Sequence, residues 1–260
     1  MDKPVLMTGA SGRVGQAILQ HAGETFNWRL VDREPVPRDR RPDHIADENI
    51  IIADIRDSEA VTAAVEGCQA VIHLAGDPRP EAPWNSVVEN NINGTHSMYE
   101  VAVKTDIEKF IFASSNHAVG AYETEERTPD MYRPKDQYRL TGAELPRPTN
   151  HYGVSKATGE IIGRYYHDHH DISVVNVRIG NLTKGHPPID YERGQAMWLS
   201  YRDCAHLFTR CIRAEYDFEI VYGISDNDRK YYSIERARTA LGYNPQDNSA
   251  EWRGAEQYPD

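Results

Sequence analysis

Short apolar runs rich in β-branched residues alternate along this chain with helical stretches. The runs at Val5–Thr8, Arg29–Val31, Ile50–Ala53, Ala70–Leu74, Phe110–Ser114 and Val174–Arg178 read as strands buried on both faces. Helices are predicted over Val14–Ala22, Ser58–Glu66, Val87–Lys104 and Tyr152–Asp168. Strict alternation of the two kinds predicts an α/β fold, a doubly wound parallel sheet covered by helices on both faces. The rhythm holds over residues 1–180. Residues 181–260 open on a loop rich in proline and charge, TKGHPPIDYERG, followed by a helix around Arg202–Ala214 and a strand near Glu219–Tyr222. They read as a small lid integrated with the first unit.

One stretch breaks the alternation. From Tyr122 to Asn150 the chain is polar, and Pro129, Pro134, Pro146 and Pro148 prevent a long helix. So long a loop after the carboxyl end of a strand points to a functional role.

Composition narrows the partners. With 260 residues the chain can bury a full core. It has no apolar run approaching membrane-spanning length, and MDKPVLMTG enters a strand pattern directly, so a cytoplasmic protein without a transmembrane helix is expected. The net charge of −11, with seven lysines against twenty-two arginines, argues against nucleic acid or an anionic membrane as the main partner. The same balance suits solubility in high salt. Cys68, Cys204 and Cys211 lack metal-ligand spacing, and HDHH at 167–170 reads as a solvated helix end, so no metal is expected.

The first strand runs into TGASGRVG, with Gly9, Gly12 and Gly15 between strand and helix. Such a loop permits a tight turn, close approach of backbone to a pyrophosphate, and packing of the helix on the sheet. The helix N-terminus then offers unpaired N–H groups to phosphates. In this strand–turn–helix setting the motif points to a dinucleotide. Asp32, ending the second strand, can accept both adenosine ribose hydroxyls and would repel a 2′-phosphate, which favours NAD over NADP. Arg33 is the counter-signal. Asp54 ends the third strand, where it could meet the adenine amino group, and HLAG at 73–76 ends the fourth beside the cofactor path.

A second constellation carries chemistry. In HYGVSK, Tyr152 and Lys156 stand four residues apart at the start of a helix and point the same way. An ammonium beside a phenol lowers its pKa and makes it a usable base. The strand FASS, upstream, ends in serines followed by Asn116 and His117.

TGASGRVG, HLAG, Asn91 in NNINGT, SSNHAVG and YGVSK together resemble the extended short-chain dehydrogenase/reductase family over nearly the whole chain. The resemblance implies a Rossmann domain at 1–180 carrying NAD and the catalytic residues, with a substrate-binding lid at 181–260. It implies a catalytic set of Ser115, Tyr152 and Lys156, with Asn91 supporting a proton relay; Ser114 is the alternative serine. It further implies cofactor contacts from Gly9, Ser11, Gly12, Arg13, Val14, Gly15, Asp32, Arg33, Asp54, Ile55, Leu74, Ala75, Gly76, Asn91, Tyr152, Lys156 and Ile179.

Within that family FASSNHAVGAY is similar to the uronate dehydrogenases. Carried over by position, Asn116 and His117 would bind sugar hydroxyls beside Ser115 and Tyr152. Arg193 would hold an anion at C6, and Asn181 would be a further substrate contact. Ser115 and Tyr152 stand thirty-seven positions apart, about a dozen more than in uronate dehydrogenases, and the difference is the proline-rich loop. GDPRPEAPW, RTPDMYRP, YYHDHHDISVVNVRIGNLT and YGISDNDRKYYS are similar to haloarchaeal NAD-dependent glucose-6-phosphate dehydrogenases. The resemblance thus implies oxidation of glucose 6-phosphate at C1, with uronate oxidation and nucleotide-sugar epimerisation or dehydration as alternatives. A phosphate wants several donors, and Arg79, Lys184, His186, Arg133 and Lys135 are the further candidates. The helices Val87–Lys104 and Tyr152–Asp168 resemble the family's dimer bundle, implying a homodimer or higher oligomer.

Overall fold

The computed structural model describes residues 3–123, 139–188 and 192–252. Seven parallel strands form one sheet in the order β3-β2-β1-β4-β5-β6-β9. These strands are β1 (Val5–Thr8), β2 (Trp28–Asp32), β3 (Ile50–Ile52), β4 (Ala70–His73), β5 (Lys109–Ser115), β6 (Ser173–Ile179) and β9 (Phe218–Gly223). Two short strands, β7 (Asn181–Leu182) and β8 (Trp198–Leu199), pair separately. Strand order reverses between β1 and β4, and the crevice beyond the carboxyl ends there is where such sheets take ligands.

The helices follow the sequence pattern with shifted ends. Helix α1 is Arg13–Ala22, α2 Ser58–Val65, α3 Gly94–Lys104, α4 His151–His170, α5 Tyr201–Arg213 and α6 Glu235–Leu241. Side-chain caps fix three starts: Asp57 accepts from the Ala60 amide, Asn150 from Gly153 at 2.7 Å, and Ser200 from Asp203 at 3.0 Å. The helix expected over Val87–Lys104 is not uniform. A short turn at Trp84–Ser86 leads into a π-helical segment, Val87–Asn93, before α3 begins.

Two apolar layers sandwich the sheet. One holds α1 and α5, which pack on each other, with Val5, Met7, Ile72, Val175, Leu207 and Phe208 buried between them and the strands. The other holds α2, α3 and α4, with Leu6, Val71, Tyr99, Phe110, Tyr166 and Val174 buried. Complete burial of each such side chain contributes about 1.5–3 kcal/mol. The segment after residue 180 therefore does more than cover a site: β9 is the seventh strand, and α5 supplies one wall of the main core. Cys204 and Cys211 lie in that wall as buried free thiols, and Cys68 is buried in the other.

A buried ion pair joins helix to sheet. Arg178 on β6 donates to both carboxylate oxygens of Glu160 on α4, at 2.9 and 2.8 Å, and to the Tyr222 hydroxyl at 3.2 Å. Ser114 completes the cluster by donating to Glu160 at 2.6 Å. Burial opposes the charge on Arg178, but its bonds to the Glu160 carboxylate override this and hold the guanidinium firmly protonated.

Candidate active site

The carboxyl ends of the strands open onto a cleft of about 950 Å³. Its cofactor half begins at the glycine loop. Gly9 has a φ of +68°, and a Cβ there would stand 2.7 Å from the Ala75 amide nitrogen, so only glycine lets the β1 and β4 loops meet. A Cβ on Gly15 would strike the Ala10 carbonyl, which places its role in helix packing and outside the cleft lining. No side chain caps the start of α1 and no acidic residue sits in its first turn, so its terminal N–H groups remain for an anion. Gly9, Ser11, Gly12, Arg13 and Val14 line the cleft beside it.

Asp32, at the end of β2, accepts from the Ser11 amide at 2.9 Å, the Ser11 hydroxyl at 2.6 Å and the Arg33 amide at 2.7 Å. These bonds orient a carboxylate on the cleft wall at the end of the second strand. Arg33, Ile55, Leu74, Ala75, Gly76 and Ile179 line the same half. Asp54 lines it too, but both its oxygens are held by Arg56, at 2.9 and 2.8 Å; those bonds bring its pKa down to about 2. The residues present therefore fit a dinucleotide: a loop that a side chain would block, an uncapped helix start, and a carboxylate at the second strand.

At the chemical half, the last residues of β5 meet the first turns of α4. Lys156 is buried, donates to the Ala113 carbonyl at 2.8 Å and lies 5.5 Å from the centroid of the Tyr152 ring. The expected lowering of the phenol by this ammonium is not what governs Tyr152. Desolvation pushes it up to about 12, opposed by a hydrogen bond from Ser115, while desolvation brings Lys156 down to about 8. The two serines separate cleanly. Ser115 is the one that opposes the rise of the phenol's pKa; Ser114, although on the cleft wall, spends its hydroxyl on Glu160.

The Ser115 oxygen accepts from the His117 amide at 3.2 Å. With the Asn116 amide oriented so that its oxygen accepts from Arg193 at 3.0 Å, its nitrogen donates to Ser115 Oγ and to the Ile179 carbonyl, both at 3.2 Å. That orientation leaves the serine proton for Tyr152 or a substrate hydroxyl. His117 packs edge-on to the Tyr152 ring and contacts the Asn150 amide through Nδ1 at 3.0 Å. Burial lowers the His117 pKa, as does the Arg193 charge, with Glu123 opposing both.

Asn116, His117, Asn181 and Arg193 all line the cleft. Two expected contacts differ. Asn91 does not line it; the π-helical segment turns its amide into the fold, onto both backbone groups of Asp77 and the Ser155 hydroxyl at 3.0 Å. Arg79 lines the cleft, but its guanidinium is bidentate on Asp77, at 2.9 and 2.6 Å, which holds that carboxyl well below the usual range and cancels the local charge. Lys184 and His186 lie outside the lining, and Arg133 and Lys135 fall outside the described residues. Sequence reasoning missed Glu123, whose buried carboxylate ion-pairs with Arg193 and accepts from the Tyr232 hydroxyl. Among the described residues no three His, Cys, Asp or Glu side chains group to hold a metal, and no helix is long and apolar enough to cross a membrane.

A Rossmann-type sheet with a glycine-loop crevice and a Ser–Tyr–Lys constellation defines a dinucleotide-dependent enzyme of the extended short-chain dehydrogenase/reductase type. The chain belongs to the NAD dependent epimerase/dehydratase family, which matches residues 5–193. It is 69% identical to an NAD-dependent glucose-6-phosphate dehydrogenase of Haloferax volcanii, over 97% of this chain and 96% of that one. An L-arabinose 1-dehydrogenase (NAD(P)(+)) of the same organism is 37% identical, over 95% and 97%. Among solved structures, a mutant uronate dehydrogenase from Agrobacterium tumefaciens complexed with NAD superposes with a TM-score of 0.81 at 30% identity, covering 100% of this chain and 92% of that one.

Proposed function

We propose that this chain is an NAD-dependent dehydrogenase that oxidises the C1 hydroxyl of glucose 6-phosphate to the 6-phospho-lactone. The observation that carries the reading is the joining of Ser115, Tyr152 and Lys156 beside Asn116 and His117, in a chain 69% identical to an enzyme of that name. When bound, NAD supplies the hydride acceptor. Gly9, Gly12, the start of α1 and Asp32 would hold it, with Asp32 selecting the free ribose diol. Residues 1–180 carry that cofactor and the reacting groups, and residues 181–260 bring Asn181 and Arg193 to the sugar.

Tyr152 takes the C1 hydroxyl proton. Ser115 donates a hydrogen bond to the reacting oxygen and orients it, keeping its own proton. Lys156 keeps a positive charge behind the phenol and steadies the nicotinamide ribose. Asn116 and His117 hold ring hydroxyls; a neutral His117 can both donate and accept. Arg193 holds the C6 anion, since a guanidinium has five N–H donors and can be shared among Glu123, Asn116 and a ligand. Asn91 would act through the Asp77 loop rather than by contact. Exposed Ile161 and Tyr165 on α4 fit the homodimer that the resemblance implies.

One observation favours a C6 carboxylate instead. Glu123 already offsets the Arg193 charge, which suits a monoanion better than a phosphate. The test is NADH formation from glucose 6-phosphate with identification of the product. Appearance of 6-phosphogluconate after lactone hydrolysis supports the reading; turnover of glucuronate alone transfers it to the carboxylate.

A further inference from the structure

Arg193 stands on a helix only one turn long, Glu192–Ala196. Its Nε pairs with the carboxylate of Glu123, whose side chain is only 3% exposed. The second Glu123 oxygen accepts from the hydroxyl of Tyr232, a fully buried residue whose ring stacks on Tyr222 and packs at a tilt against Tyr231, each with centroids 4.3 Å apart. Glu123 is thus gripped from two segments remote in sequence, and its carboxylate cannot turn toward water. It also ends the segment that Asn116 and His117 begin, Asn116–Glu123. Arg193 closes the loop by donating to the Asn116 oxygen at 3.0 Å.

We propose that Glu123, braced by Tyr232, is a positioning residue for sugar recognition: it aims Arg193 at the C6 anion and fixes the Asn116 amide without touching the substrate itself. This rests on Arg193 serving a C6 anion. A buried carboxylate is an expensive group to keep unless its charge is used. Here its use is to hold a long, rotamer-rich side chain in one geometry before the ligand arrives, so that ordering is not required on binding. It also ties the hydroxyl-reading and anion-reading parts of the site into one rigid unit.

The test is a double-mutant cycle of Glu123→Gln and Arg193→Ala, read as KM for the sugar, KM for NAD and kcat. Glu123→Gln alone should raise the sugar KM by roughly tenfold with NAD KM and kcat within about threefold. In the Arg193→Ala background the same change should move the sugar KM by less than about twofold. Additive effects, a fall in kcat without a rise in sugar KM, or a lower sugar KM would each overturn the proposal. Tyr232→Phe, which removes only the bracing hydroxyl, repeats the cycle if Glu123→Gln does not fold, with an expected rise of about threefold that likewise vanishes without Arg193. The cycle uses whichever of glucose 6-phosphate and glucuronate is turned over. Failure of glucose 6-phosphate alone defeats the substrate reading, and an additive cycle defeats only this inference. If neither anion is turned over, Arg193 serves no C6 anion and the inference fails with it.

Discussion

The Lys156 ammonium lies 5.5 Å from the centre of the Tyr152 ring, one helical turn away on the same face of α4. Both groups are desolvated, which pushes the phenol up to about 12 and the ammonium down to about 8. For the base role proposed for Tyr152, the reactive form is the deprotonated one. The rate should therefore rise with pH from neutral into the alkaline range, until loss of the lysine proton near pH 8 begins to flatten it. Tyr152→Phe should lower kcat by at least about a thousandfold with NAD affinity within about twofold, measured by turnover and by NADH titration. A variant retaining the alkaline rise would show that another base acts.

Asp32 stands at the end of β2 with its carboxylate oriented by Ser11 and the Arg33 amide. Asp32→Ala should reduce the preference for NAD over NADP by about ten- to a hundredfold, through a raised KM for NAD and a lowered KM for NADP. Removing the carboxylate takes away both the ribose acceptor and the repulsion of a 2′-phosphate, and exposes that phosphate to Arg33. Comparison of kcat/KM for the two cofactors checks it.

Glu160 and Arg178 form a buried pair linking α4 to β6, within the wall that bears Tyr152 and Lys156. Glu160→Leu would leave a buried guanidinium without its carboxylate and should cost about 3–5 kcal/mol of stability. Equilibrium unfolding in denaturant at constant salt measures it. The loss should exceed that of Arg164→Ala, which breaks the exposed pair with Asp168 and a cation–π contact with Phe218.

His73, at the end of β4, is buried between Thr8, at 2.8 Å, and Thr95, at 3.2 Å. Burial brings its pKa down to about 3. Below pH 6.5 the unfolded chain takes up a proton that the folded chain refuses, so this group's stability contribution is present above that pH and is lost as pH falls toward 3. Between pH 7 and 5 the loss should be about 2 kcal/mol. Unfolding free energies for the native chain and His73→Gln at both pH values should differ in slope by that amount, the variant being flatter.

The sheet was legible because its strands are short runs rich in Val, Ile or Phe, and the central ones are buried on both faces. The glycine loop and the Tyr152–Lys156 pair were legible because their chemistry depends on local spacing. What escaped depends on contacts between distant segments. Glu123 is one of three glutamates in YETEER, and nothing nearby distinguishes it until Arg193 and Tyr232 fold against it. Asn91 sits in a helix as expected, yet a π-helical turn rotates its amide away from the cleft. The choice between Ser114 and Ser115 required Glu160, which occupies one of them. Burial, which sets the pKa of Tyr152, has no signature in the spacing of HYGVSK.

The central claim is that this site oxidises C1 of a sugar held by an anion at C6, and that the anion is a phosphate. Its most direct test compares kcat/KM with NAD for glucose 6-phosphate, glucose and glucuronate at high salt, for the native chain and for Arg193→Ala. The account predicts that glucose 6-phosphate leads glucose by at least about a hundredfold, nearly all of it lost in Arg193→Ala through KM. Equal values for glucose and glucose 6-phosphate in the native chain would contradict it.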